Sequence, residues 1–136
     1  MIESEWWRYP SGSDEVLDVA EMHSKYGFIL NLKPTVLPHG IMIERYKFLI
    51  EEVTELHQAI HSDDFAGMID ALVDLVVVAK GTAVMMGINW DRHWNIVHEA
   101  NMLKERGMGK RGVEEDLIKP PGWMPPDHQK ILDESQ

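Results

Sequence analysis

The sequence contains no cysteine. That absence excludes a disulfide scaffold, a thiolate zinc centre, an iron–sulfur cluster and a cysteine nucleophile. It also fits a reducing compartment. Positive charge is scarce: 13 lysines and arginines stand against 23 acids, for a net charge of −10. Coating nucleic acid needs a basic face, so the charge argues against that role. Long apolar runs are missing too. The longest, Leu75 to Ala79, falls far short of the roughly 20 residues of a membrane-spanning helix. The opening MIESEWWRYP has no basic stretch followed by an apolar one, so no secretory signal is expected and the expected location is the cytoplasm. No GxxxxGK[ST] phosphate loop occurs, and the two Glu-x-x-His pairs of a di-iron bundle are absent.

What remains is a globular composition, 44% hydrophobic and 26% charged over 136 residues. A chain of that length buries roughly two-thirds of its unfolded surface, so one domain can hold a core without staples. The expected organisation is a lead-in over 1–12, a helical core over 13–106 and a basic, proline-rich tail over 107–136. Ser13 and Asp14 open a first helix, in which Val16, Leu17, Ala20, His23 and Tyr26 recur at helical spacing before a stop at Gly27. Pro34, Pro38 and Gly40 mark an ordered connection. Met42, Tyr46, Leu49, Val53, Leu56 and Ile60 form one stripe of a second helix over about 42–61. Ser62-Asp63-Asp64 breaks it and can cap a third.

The stretch from Phe65 to Met86 is β-branched at its centre, and periodicity alone would allow ALVDLVVVA to be a buried strand. Its apolar residues continue for about six turns, and no partner strand of similar quality is present. We read it as a helix apolar on most faces, which belongs at the centre of a bundle. Gly87 ends it. A fourth helix opens at Asn89 or Trp90 and runs to about Glu105. Residues 107–126 hold Gly107, Gly109, Gly112, Gly122 and four prolines, which predicts an irregular tail before a short last helix over 127–132. The fold expected is all-α, a bundle of about four main helices.

The acids are the informative feature. Eight of them stand between Glu44 and Asp74, against two bases, Arg45 and Lys47. Glu51, Glu52 and Glu55 of EEVTE share one side of the second helix. Asp70 and Asp74, four apart, sit inside the most apolar helix. A buried unpaired carboxylate costs several kcal/mol, and no lysine or arginine lies between Lys47 and Lys80 to neutralise it. A divalent cation does so, and oxygen-only ligands select hard ions: Mg²⁺, with Mn²⁺ as a substitute. The short break at 62–64 would fold EExxE opposite DxxxD in an antiparallel pair. For EEVTE alone a solvated acidic face is the competing reading. The aspartates in an apolar run favour the metal.

The ordered set EEVTE, DALVDLVVVAKGTAVMMGI, HEANMLK and KPPGW resembles the all-α nucleoside triphosphate pyrophosphohydrolases of the MazG-like and phosphoribosyl-ATP pyrophosphohydrolase-like group, especially the shorter phage-type members. The resemblance covers about residues 40–127. It implies hydrolysis of a nucleoside triphosphate between the α- and β-phosphates, giving the monophosphate and pyrophosphate. It implies Glu51, Glu52, Glu55 and Asp74 as metal ligands. Many relatives place a glutamate three residues before the aspartate. Here that position is Ala71, which leaves open whether Asp70 ligates directly or through water. The resemblance also implies a homodimer or a dimer of dimers, each site built from two chains. It singles out Asn101, Lys104 and Lys119 as phosphate or nucleotide contacts. Glu51 or Glu52 would orient or deprotonate the attacking water, with Glu51, at the outer edge of the cluster, preferred.

Lys104, Arg106, Lys110, Arg111 and Lys119 lie together in sequence and read as a phosphate clamp or as a solubilising tail. Arg45 either reaches the acids or lies on the surface. Trp7, Trp94 and Trp123 are the candidates for stacking on a nucleobase, the other tryptophans serving core or interface. His57 and His61 have the i,i+4 spacing of a helical zinc pair, but Gln58 replaces the glutamate of HExxH, so an exposed helical face is expected. His98 is read as structural. The expected function is a Mg²⁺-dependent (d)NTP pyrophosphohydrolase of the nucleotide pool, dGTP first among substrates, with no nucleic-acid or membrane partner. The rivals are a non-catalytic helical interaction module, a phosphoribosyl-ATP pyrophosphohydrolase and a dUTP diphosphatase.

Overall fold

A computed structural model describes residues 5–135. Residues 1–4 of the expected lead-in, and Gln136, lie outside the described residues. The chain is mostly helical and forms two compact units, residues 1–90 and 91–136.

The first unit opens with a single 3₁₀ turn, Trp6–Arg8, followed by α1 (Asp14–Tyr26), α2 (His39–His61) and α3 (Phe65–Met86). The expected stops hold. Gly27 and Gly87 adopt left-handed φ of 71° and 67°, closing α1 and α3. α2 begins three residues before the apolar stripe, because the Pro38 carbonyl accepts the Ile41 and Met42 N–H groups. At its far end Asp63 turns the chain with φ 50°, and the Asp64 carboxylate accepts the Gly67 N–H at 3.0 Å, capping α3. The stretch that could have been a strand is therefore helix.

Tyr9, Val16, Val19, Ala20 and Val84 form the core, with Leu17, Leu30, Leu32, Val77 and Trp90 packed against it. The Tyr9 hydroxyl reaches the carbonyls of Ala83, at 3.1 Å, and Ile88. The connection after α1 docks on the end of α3. Asn31 N–H donates to Val84 O, Asn31 Nδ2 to Met85 O and Thr35 N–H to Met86 O. These are carbonyls that a helix cannot satisfy within its own last turn. α3 contacts both α1 and α2, but its expected central position is only partly realised. Leu72 and Val73 on its open side are 52% and 55% exposed, since two helices cover only part of its circumference.

His23 shows how tightly α1 is held. It is 1% exposed, and its Nδ1 donates to Ile29 O at 3.0 Å. Burial lowers its pKa, the Ile29 hydrogen bond opposes that, and the Arg45 charge adds to the lowering. A histidine whose folded pKa lies below its unfolded value loses stability as pH falls below about 6.5. The wild type should therefore weaken between pH 7.5 and pH 5.5 in urea melts. His23→Asn, which keeps a donor for Ile29 but cannot titrate, should show a shallower loss. Equal slopes would contradict this.

In the second unit α4 spans Trp90–Met102, ending before the expected Glu105. Leu103 N–H and Lys104 N–H turn back onto Ala100 O and Asn101 O. The segment expected to be irregular then forms a hairpin: β1 (Glu105–Gly107) pairs antiparallel with β2 (Asp116–Ile118), Arg106 opposite Leu117. Ion pairs Arg106–Glu115 and Arg111–Asp116 tie its loop. α5 (His128–Glu134) starts one residue later than expected and extends two further, because the Asp127 carboxylate caps it by accepting the Lys130 N–H. Arg92 bridges to Glu134 at 2.6 Å, joining α4 and α5. Among the described residues no helix is long and apolar enough to cross a membrane.

Candidate functional site

The turn at 62–64 sets the register between α2 and α3. Residues equidistant from Asp63 face one another at three levels. A Cβ built on Gly67 would lie 3.3 Å from the Ala59 Cβ, so small residues let the helices approach beside the turn. Seven residues further along each helix Glu52 meets Asp74. Another seven along, a Cβ on Gly81 would lie 2.8 Å from Arg45 Nη2. Steps of seven are two helical turns, the repeat of paired helices wound on one seam. The middle level carries the chemistry.

There Glu52, Glu55 and Asp74 each offer a carboxylate oxygen, all within 4.8 Å of one another. Glu52 and Asp74 are half-buried and Glu55 is exposed. The Glu52 Oε2 atom is buried with no hydrogen-bond partner among the described residues. Burial raises the Glu52 pKa, and Glu55, by hydrogen bond and charge, Asp74 and Glu51 raise it further. Burial raises Asp74 as well, with Asp70 and Glu55 adding to it. Three crowded carboxylates, with the pKa of Glu52 and Asp74 raised and one Glu52 oxygen buried without a partner among the described residues, are a donor set that a hard cation fits.

The other expected ligands stand around this trio. Asp70 is exposed, and its charge, one turn from Asp74, helps to raise that carboxyl's pKa. Glu51 is exposed and acts on the trio through its charge on Glu52. Arg45 does not lie on the surface as a free cation. It is half-buried, donating from Nε to Thr82 Oγ1 and from Nη2 to Val78 O, both at 3.0 Å. It braces the two helices one to two turns beyond Asp74. Gly81 makes room for it and for His23, whose Nε2 would also lie 2.8 Å from a Cβ there.

In the second unit, Lys104 and Lys119 are brought together by Trp123. Their ammonium groups lie 5.2 and 5.1 Å from its ring centroid, a cation–π distance. The indole N–H donates to Ala100 O at 2.8 Å and fixes the ring. Trp123, expected as a base-stacking face, is thus a platform for two cations. Asn101 is half-buried beside them in sequence, its carbonyl taken by Lys104 N–H. Arg111 is drawn into a two-point pair with Asp116, which raises the Arg111 pKa and lowers that of Asp116. The reading of the sequence overlooked Asp116; its one signal is the Gly112 turn placing it five residues from Arg111. A cavity of about 470 Å³ is lined here by Lys110, Arg111, Asp116 and Lys119. Trp94 is 60% exposed and Trp7 likewise. His98 is exposed.

A sequence model of the phosphoribosyl-ATP pyrophosphohydrolase family matches residues 30–101, slightly more than half the chain. No curated protein sequence matches it. The matched span holds all five clustered acids and the helical hairpin that gathers three of them, and the chain belongs to the phosphoribosyl-ATP pyrophosphohydrolase family, whose members are nucleotide pyrophosphohydrolases that typically use a metal.

Proposed function

We propose that the protein hydrolyses a nucleoside triphosphate to the monophosphate and pyrophosphate, with Mg²⁺, or Mn²⁺ in its place, held by Glu52, Glu55 and Asp74. The observation that carries this reading is the trio itself: three carboxylate oxygens within 4.8 Å on the family's helical hairpin. When bound, the cation supplies charge neutralisation for the triphosphate and for the departing pyrophosphate. Asp70 adds negative charge one turn from Asp74, which a bound cation would offset. Glu51, exposed beside the trio, takes the proton from the water that adds across the α–β anhydride. Lys104 and Lys119 are assigned as phosphate contacts, their side chains held by Trp123. dGTP is the first substrate proposed, within a nucleotide-pool role in the cytoplasm.

We further propose that the chain works as a homodimer or a dimer of dimers. Ile43, Tyr46, Ile50 and Val53 on α2 and Leu72, Val73 and Val76 on α3 are all exposed. So many exposed apolar side chains on two helices favour an association face.

Product analysis tests the activity. The protein is incubated with the common NTPs and dNTPs and with phosphoribosyl-ATP, with Mg²⁺ or with EDTA. Monophosphate and pyrophosphate should form only with metal, and metal should raise the melting temperature with concentration. Phosphoribosyl-ATP as the sole substrate would move the assignment to that compound. Release of inorganic phosphate and a nucleoside diphosphate, or turnover in EDTA, would overturn the reading.

A further inference from the structure

α2 carries a second set of converging donors, outside the carboxylate trio. The Nε2 atoms of His57 and His61 lie 2.9 Å apart, their rings at 74° to each other. Two nitrogens bound about 2.0–2.1 Å from one ion, near a right or tetrahedral angle, lie about 3 Å apart. The i,i+4 spacing puts both rings over the same strip of helix. That strip is not the one bearing the acids. At about 100° per residue, His57 stands about 140° around the helix from Glu52 and about 200° from Glu55.

Three further facts define the ligand class. Both side chains are exposed, so coordination positions beyond the two imidazoles remain open. His61 is the last residue of α2, where the negative end of the helix favours a cation. No third carboxylate or histidine converges on the pair, since among the described residues the one cluster of three such groups is Glu52, Glu55 and Asp74. An all-nitrogen pair of this kind disfavours Mg²⁺ and suits borderline transition ions.

We propose that His57 and His61 chelate one divalent transition ion, Zn²⁺ or, more tightly, Cu²⁺, independently of the hard-ion site. The rival account is that the two neutral rings only share an N–H···N hydrogen bond. Calorimetric titration of the full chain with ZnCl₂, in excess MgCl₂ to occupy the carboxylates, separates the two. A Zn²⁺ site that requires both His57 and His61 is expected, distinct from any uptake at the His93–His128 pair, whose Nδ1 atoms lie 2.8 Å apart. His57→Ala and His61→Ala should each weaken it at least about tenfold, or about 1.4 kcal/mol, while Asp74→Asn leaves it unchanged. Circular dichroism should find each variant folded, as both side chains are exposed. The proposal is overturned if the wild type takes up no Zn²⁺ under these conditions, if both alanine variants bind as tightly as the wild type, or if binding is lost in Asp74→Asn instead.

Discussion

Asp74→Ala should lower kcat/KM for monophosphate release at least about 100-fold, a loss of about 2.7 kcal/mol of transition-state stabilisation. Asp74 is the one member of the trio contributed by α3, so its removal leaves two carboxylates on a single helix and no clamp between helices. The loss should not come from unfolding. The half-buried Asp74 carboxyl is destabilised by burial and by the charges of Asp70 and Glu55, so the metal-free variant should melt no lower than the wild type. The melting temperature should instead cease to respond to Mg²⁺. Activity within a few-fold of wild type would remove Asp74 from the site. Asp70→Asn, which removes the charge beside Asp74 but keeps the side chain's shape, should cost less, about tenfold, as groups behind a metal ligand usually do. Glu51→Ala separates the remaining roles: metal affinity should persist while turnover falls, and unchanged turnover would remove Glu51 as the base.

Gly87→Ala should destabilise the fold by about 2–4 kcal/mol. The residue sits at φ 67°, where a side chain alone costs about 1–2 kcal/mol. A Cβ would also press into the Lys33 carbonyl, 2.7 Å from its carbon and 2.9 Å from Asn31 O. Those are backbone atoms of the connection that satisfies the end of α3, so no flexible side chain can swing away. Gly112 is the control. It has φ 78° but nothing within 4 Å of a Cβ, so its alanine variant should lose only the conformational part, about 1–2 kcal/mol. Urea melts of the two variants decide the point, and equal losses would contradict the clash.

The helices were legible because their signals are local. Gly27 and Gly87 stop α1 and α3 where a left-handed residue is required, and Asp64 caps where it should. The acidic trio was legible from spacing, because EExxE and DxxxD fall on single helix faces whatever the tertiary contacts. What the chain hid was set by register or by contacts distant in sequence. Arg45 could not be placed against Val78 and Thr82 until the hairpin register was known. Asp70, in the same apolar run and on the same helix face as Asp74, is exposed, and the apolar letters around it give no sign of that. The strands at 105–107 and 116–118 are three residues each with no alternation to read. Cross-loop ion pairs help hold them, and such pairs leave no periodic trace.

The turn at Asp63 has one more consequence. Glu52 and Asp74 stand eleven residues to either side of it, close to three full helical turns each way. The turn is therefore a ruler. One residue added to it would lengthen the path by a single step, yet would swing all of α3 by about 100° relative to α2. Asp74 would leave the trio without any functional residue having been altered. The site is thus constrained by a count of residues, the 22 that separate the Glu52 and Asp74 positions, as well as by the identity of its ligands.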